Sequence, residues 1–170
     1  SSISGPEYNF ISSVVAYIGL APGIDIDWVV VHPNDWSEML AEGKIDAIGT
    51  FPPMSYAVHA KKIGHVILNT TTDHPWRNYF CCMVAARSEF VRNYPVATKR
   101  AMRALIKANQ LCSLEPERMA RLLVDKGYEP RYDYALKTLQ DIPYGAWRLY
   151  NPEDTLRFFA LRLRQAGMIK

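Results

Sequence analysis

Three segments of the chain carry polar and aromatic residues that could contact a small ligand. The first opens a predicted helix, where Ser2, Ser4 and Gly5 surround the free amide groups of the first turn. A helix start of this kind binds carboxylate, sulfonate or phosphate groups, because its N–H groups and its dipole favour negative charge. The alternative is that Ser4 only caps the helix, since it stands three residues before Glu7 in the spacing of a capping box.

The second segment is Thr50, Phe51 and Pro52, which follows a short predicted strand at 45–50. Ligands of open α/β sheets sit beyond the carboxyl ends of the strands. An aromatic ring at that place can stack on a ligand, and consecutive prolines stiffen the loop. The alternative is an ordinary turn with a buried Phe51.

The third segment is a polar connector that ends in Trp76, Arg77 and Tyr79. The two aromatic residues offer walls for a ligand, and the Arg77 guanidinium offers a forked donor for an oxyanion. A surface connector with one packed tryptophan is the alternative.

Cys81 and Cys82 are adjacent, and the third cysteine, Cys112, lies well apart in sequence. Zinc sites need about four ligands at characteristic spacings, which are absent, and a catalytic thiol needs a base, for which only His74 is near in sequence. We expect the adjacent pair to alternate across a strand, with Cys81 as a candidate ligand contact and its neighbour toward the core. No catalytic residue, metal ligand or cofactor is predicted.

Composition excludes several classes of protein. The 170 residues are 49% hydrophobic and carry a net charge of +3, with basic residues interleaved among acidic ones. We therefore expect a folded protein that does not bind nucleic acid. No run of 18 apolar residues occurs, so no membrane span is predicted. The chain opens on serine rather than methionine, and we expect further sequence on its N-terminal side.

The order of predicted elements indicates an α/β fold. Helices and strands alternate up to residue 69, which implies a parallel sheet, and the chain beyond residue 86 is helical. We interpret 1–75 as an α/β lobe that lacks its first strand, and 76–170 as a return strand with helices that belong to another, partial lobe. The predicted strands are 24–32, 45–50, 65–69 and 78–86; the predicted helices are 4–20, 35–43, 54–61, 97–112, 119–127, 134–139 and 154–166.

Several segments, taken in order, resemble one protein family. They are the helix, glycine and Asp-Ala pattern of 39–47, the stretch 79–85, and the short helix, proline and long helix of 89–101. Together they resemble periplasmic solute-binding proteins of the nitrate/sulfonate/taurine and NMT1/THI5-like families, which have a two-lobed type II periplasmic-binding fold. The resemblance implies a small solute, anionic or heteroaromatic, held in a cleft between the lobes without chemical conversion.

The same resemblance implies a location and partners. The protein would be periplasmic, or lipid-anchored on the outer face of the cytoplasmic membrane, and would deliver solute to the permease subunits of an ABC transporter. The protein would be attached to the membrane only by its binding to the permease or by the lipid anchor. Two alternatives stay open: a THI5-like enzyme of pyrimidine synthesis that uses the Cys81-Cys82 region, and the effector-sensing domain of a transcription regulator.

Overall fold

The computed structural model describes residues 5–170, and that part of the chain is built from helices joined by irregular segments. Three short 3₁₀ helices, at Pro33–Asp35, Trp76–Asn78 and Tyr144–Arg148, accompany the α-helices. The α-helices among the described residues are α1 (Pro6–Tyr17), α2 (Trp36–Ala41), α3 (Met54–Ala60), α4 (Ser88–Asn93), α5 (Pro95–Leu114), α6 (Pro116–Asp125), α7 (Tyr132–Asp141) and α8 (Pro152–Gln165).

Residues 5–170 contain no β-strand, so the predicted α/β three-layer fold is wrong. The segments 24–32, 45–50, 65–69 and 78–86 form turns and irregular chain without a hydrogen-bonded ladder. Many of their apolar side chains are exposed to solvent, among them Val29, Val30, Val66, Ile67, Met83 and Val84. A run of β-branched residues favours a strand only where neighbouring chain pairs with it. Here that pairing is missing, and the parallel sheet and the return strand are missing with it.

Every predicted helix that lies within the described residues is formed, because residues at or near its ends determine where it begins and stops. Proline occupies the first turn of α1, α5 and α6, where its missing N–H costs no hydrogen bond. The helices α2, α6 and α8 are each followed by a glycine with positive φ, namely Gly43, Gly127 and Gly167. This backbone conformation ends a helix and strains any residue with a Cβ.

Asp35 and Glu38 have the spacing that predicts a capping box at the start of α2, but this box is not formed. Asp35 precedes α2 but makes no side-chain hydrogen bond to it, because its backbone is already helical in a 3₁₀ turn. An N-cap side chain reaches its amide only from a non-helical backbone. His32 takes the capping role one turn earlier, where its Nδ1 accepts from the Asn34 N–H at 3.3 Å. The other predicted box, at Ser4, lies outside the described residues.

The chain forms two compact units. The first comprises the chain up to Leu68 together with Pro152–Lys170, and the second comprises Asn69–Asn151. The assignment of 1–75 and 76–170 to two lobes stays a prediction.

In the first unit, α1 packs against α8. Ser12, Ser13 and Val15 of α1 and Thr155 of α8 are buried. Toward the end of α1 the Arg162 guanidinium lies 5.2 Å from the centre of the Tyr17 ring. Nearer the start of α1, Tyr8 meets Trp28 edge to face, with ring centres 4.6 Å apart. These contacts hold α1 in place, and with it one of the candidate ligand segments.

The second unit has its core between α6 and α7. Ala120, Ala135 and Leu139 are buried there, and the small alanine side chains let the two helices approach closely. Residues of α5, α6, α7 and the following 3₁₀ helix complete the cluster: Cys112, Met119, Leu123, Tyr132, Leu136 and Tyr144.

Candidate ligand-binding site

The start of α1 presents amide groups that have no acceptor within the helix. Gly5 is the N-cap, with φ 130° and ψ 168°, a conformation that glycine adopts readily. Pro6 has no N–H, and the Asn9 N–H donates to the Gly5 carbonyl at 3.1 Å. The amides of Glu7 and Tyr8 therefore carry the positive end of the helix. Of the residues predicted here, Gly5 is at the helix start, and Ser2 and Ser4 lie outside the described residues.

Glu7 lies over this helix start. A Cβ added to Gly5 would be 3.4 Å from the Glu7 Oε2 atom, so the carboxylate folds back toward the N-cap. A negative side chain at this place offsets part of the positive potential that would attract an anion. The helix start is therefore less attractive to anions than its bare amides would be.

The loop that carries the second predicted segment lies directly on α1. A Cβ at Gly49 would be 3.0 Å from Ile11 Cδ1 and 3.7 Å from Glu7 Cβ. Thr50 and Pro52, the next residues on this loop, are half-buried. The Phe51 side chain is 41% exposed and available to a ligand. The loop of the second predicted segment thus lies near the first two turns of α1 within the first unit.

Gly49 was not among the predicted site residues, although one sequence signal points to it. A glycine inside a segment of strand-like residues often marks a close approach of backbone to another element. Here that element is α1, and the missing side chain leaves room for Ile11.

We expect Gly49→Ala to lower the free energy of unfolding by about 1–3 kcal/mol, because the added methyl group overpacks against Ile11. Ile11 is stiff at χ1, which restricts its Cγ1 atom, 3.1 Å from the added carbon, so Ile11 or the loop must give by a few tenths of an ångström. Urea unfolding followed by circular dichroism measures the change. Gly23→Ala is the matched control, since nothing lies within 4 Å of its added Cβ. Equal effects in the two variants would show that Gly49 makes no close contact with α1.

The connector in the second unit is a hydrogen-bonded turn. The Asp73 carboxylate accepts from the Asn69 backbone N–H at 2.7 Å and from the Thr72 hydroxyl at 2.9 Å. These hydrogen bonds, chiefly the one from Asn69, lower the pKa of Asp73. Because the folded-state pKa lies below its ordinary value, the stabilisation is present at neutral pH and is lost as the pH falls through that lowered pKa.

The predicted residues after this turn differ in accessibility. Trp76 opens a 3₁₀ helix and is only 2% exposed, so its ring packs inside the protein. Arg77 is exposed and Tyr79 is half-buried, and both could meet a ligand at the surface of this unit. Phe80 is held by an edge-to-face contact with Tyr150, with ring centres 6.1 Å apart. The ligand contacts predicted for Trp76, Arg77 and Tyr79 stay predictions.

Cys81 and Cys82 are both exposed, and their Sγ atoms are 3.7 Å apart. The expectation that one thiol faces the core across a strand is wrong, because no strand forms here. Cys112 packs against the core of the second unit instead, and burial raises the pKa of its thiol. Among residues 5–170, no group of three or more His, Cys, Asp or Glu side chains is placed to hold a metal ion.

A model of the NMT1-like family matches residues 6–124, more than two thirds of the chain. The chain belongs to the NMT1-like family. The matched range runs from the start of α1 to the last turn of α6 and includes the Gly49–Pro52 loop, the connector and the cysteine pair. Membership in the NMT1-like family indicates a solute-binding or related protein, and it is consistent with small-molecule binding. No curated protein and no solved structure matches the chain.

The described helices include none that is both long enough and apolar enough to cross a bilayer.

Proposed function

We propose that this member of the NMT1-like family captures a small solute for an ABC importer and releases it unchanged. The solute contacts the start of α1 and the loop at Thr50–Pro52. In this proposal the chain supplies binding and orientation but no catalytic group. The permease subunits of the importer are the partner, and the protein works on the outer side of the cytoplasmic membrane, in the periplasm or on a lipid anchor.

The observation that supports this proposal most strongly is the contact between Gly49 and Ile11. Phe51, an exposed aromatic residue, follows Gly49 by two positions on this loop, and Ile11 lies on α1, whose first turn carries the amide groups of Glu7 and Tyr8. A few polar groups beside an apolar wall are the usual composition of a small-molecule site, in which the polar groups orient the ligand and the wall buries it.

The amide groups at the start of α1 and the aromatic ring of Phe51 suggest the class of solute. Amide donors at a helix start suit an oxyanion such as nitrate, sulfonate or carboxylate. An aromatic ring suits a flat or apolar body such as a pyrimidine or a substituted benzene. The proposal therefore favours a small solute that has one anionic end, or a heteroaromatic ring, or both.

A thermal-shift screen of the purified chain tests this proposal. The panel contains nitrate, alkyl sulfonates, taurine, pyrimidines and aromatic carboxylates, with sodium chloride at equal ionic strength as the blank. A ligand at 100 times its Kd stabilises the folded state by about 2.7 kcal/mol, which raises the melting temperature by several degrees. We expect such a shift for at least one member. A panel without any shift, or chemical conversion of a member, would contradict the proposal.

We expect Glu7→Gln to increase the affinity for an anionic solute about two- to fivefold, because a carboxylate at a helix start opposes the anion by about 0.3–1 kcal/mol. The substitution keeps the shape of the side chain and removes its charge. Calorimetric titration measures the change.

Glu117→Gln is the matched control for this variant, since Glu117 also lies in the first turn of a helix but in the second unit. It should leave the affinity unchanged. Unaltered affinity for an anion in both variants would show that the solute does not reach the start of α1.

A further inference from the structure

The longest described helix, α5, carries basic residues without any acidic ones. Over the whole chain the two kinds of charge are interleaved, but the 20 residues of α5 include neither Asp nor Glu. Residues three or four apart share one face of a helix. The basic residues of α5 follow this spacing, are all exposed and are called here the basic stripe: Lys99, Arg100, Arg103 and Lys107.

The basic stripe has no charge partner in the described chain. None of its side chains forms an ion pair within residues 5–170. On the helices that pack against α5 the situation differs, since Arg118 of α6 is paired with Glu115 and Lys137 of α7 with Asp141. Like charges four residues apart on a helix repel each other, so the stripe lowers the stability of α5. A negatively charged partner would offset this repulsion.

Exposed apolar side chains lie at the N-terminal end of the basic stripe. Val96, in the first turn of α5, is 65% exposed. The neighbouring helix α4 and its junction with α5 add three more exposed side chains, those of Phe90, Val91 and Tyr94. Tyr94, Val96 and Arg100 line one open concavity, so apolar side chains and a positive charge meet at the same place. The four apolar residues are called here the apolar patch.

We propose that the basic stripe and the apolar patch form a docking surface for an anionic lipid bilayer. Lys and Arg side chains near such a bilayer are attracted to its negative headgroups. Apolar side chains beside them enter the boundary between the headgroups and the acyl chains. The described helices include none that could span a bilayer, so the contact is one with the membrane surface.

The aliphatic members of the apolar patch favour a bilayer over a nucleic acid. A nucleic acid would contact the positive charges and stack on the rings of Phe90 and Tyr94. It would gain little from Val91 and Val96, whose exposed side chains suit an apolar environment. A bilayer offers partners to the charges, the rings and the aliphatic side chains together.

This docking surface goes beyond solute binding. The family resemblance implies attachment only through a permease or a lipid anchor, whereas this surface contacts the lipid itself. The proposal does not depend on the solute-binding function, since no solute takes part in the experiments that test it.

Flotation of the purified chain with lipid vesicles tests the proposal. Vesicles of phosphatidylcholine alone are compared with vesicles of equal parts phosphatidylcholine and phosphatidylglycerol. We expect at least tenfold stronger partition onto the anionic vesicles, because each basic residue near an anionic surface contributes about fivefold. Salt at about 1 M shortens the Debye length to about 3 Å and should remove this difference. Equal partition onto both kinds of vesicle would overturn the proposal.

Arg103→Gln combined with Lys107→Gln should weaken partition onto the anionic vesicles at least tenfold, since two charges leave the basic stripe. Arg118→Gln combined with Lys137→Gln is the matched control, because it removes the same charge from ion-paired side chains of the same unit. The control should change partition less than threefold. Equal weakening in the two double variants would show that net charge alone causes the binding. Circular dichroism confirms that both fold.

Val96→Asn tests the apolar patch. We expect it to weaken partition onto the anionic vesicles at least twofold, because it removes apolar area that the lipid would bury. Unchanged partition would contradict the insertion of this patch. Binding to a DNA duplex at the same salt concentration as strongly as to the anionic vesicles would also overturn the proposal, since the surface would then be a nucleic-acid site.

Discussion

Replacing Trp76 with Ala should lower the free energy of unfolding by about 3–5 kcal/mol, the usual cost of removing a large aromatic side chain from a protein interior. Trp76 is 2% exposed and is among the largest fully buried side chains of the protein. Its removal takes away buried apolar contacts and leaves a cavity that the surroundings fill only in part. Urea unfolding followed by tryptophan fluorescence and circular dichroism measures the loss.

Trp147→Ala is the matched control for this prediction. Trp147 lies in the same unit, is 37% exposed and stacks beneath the Arg148 guanidinium, which is 4.1 Å from its ring centre. Its replacement should cost about 1 kcal/mol or less, because a partly exposed ring loses less buried surface. An equal loss of stability in both variants would show that the Trp76 side chain is not buried more deeply than that of Trp147. A surface position for Trp76, where it could contact a ligand, would then be favoured.

Phe51→Ala should weaken solute binding at least tenfold, which corresponds to about 1.4 kcal/mol. Phe51 is 41% exposed, and in the proposed site its ring forms the apolar wall that the solute covers. A solute that covers this ring gains the free energy of burying apolar surface, and the truncated side chain offers almost none. Calorimetric titration with the strongest solute of the panel gives the two affinities.

Phe90→Ala controls for the loss of an exposed aromatic ring. Phe90 is 48% exposed and lies on α4 in the second unit, with its ring centre 5.1 Å from that of Tyr94. We expect its replacement to change the affinity by less than twofold. Weakened binding in both variants would point to a general loss of structure rather than to a ligand contact at Phe51.

The helices could be predicted from the sequence because their signals are local. Proline at the first turn and glycine just past the last turn mark the boundaries of α6, and the structure places both there. A helix satisfies its backbone hydrogen bonds within its own segment, so neighbouring sequence decides much of its stability. This is why α1, α5 and α8 also appear near the predicted positions.

The sheet could not be predicted correctly because a strand is not a local structure. The run Trp28–Val31 has the composition of a buried strand, yet Val29 and Val30 are exposed and unpaired with any ladder in the described chain. Composition reports a tendency toward extended chain, whereas pairing depends on residues far away in sequence. Segments such as this one remain irregular in the described chain because no neighbouring segment pairs with them.

The candidate site was predictable in part. Residue type predicts ligand contacts at Gly5 and Phe51, and these contacts stay predictions, whereas the approach of the Phe51 loop to α1 at Gly49 and Ile11 is visible only in the structure. Contacts between residues far apart in sequence follow from tertiary structure, which single-segment patterns do not encode. The burial of Trp76 is another such case, since an aromatic residue in a polar connector suits a surface or an interior equally well.

We propose that this chain binds a small solute without converting it. Calorimetric titration of the purified chain with the strongest solute of the panel, followed by mass spectrometry of the recovered solute, tests that claim most directly. We expect saturable binding of one molecule per chain and full recovery of the unaltered compound. Heat without saturation, or a product of different mass in the recovered material, would contradict it.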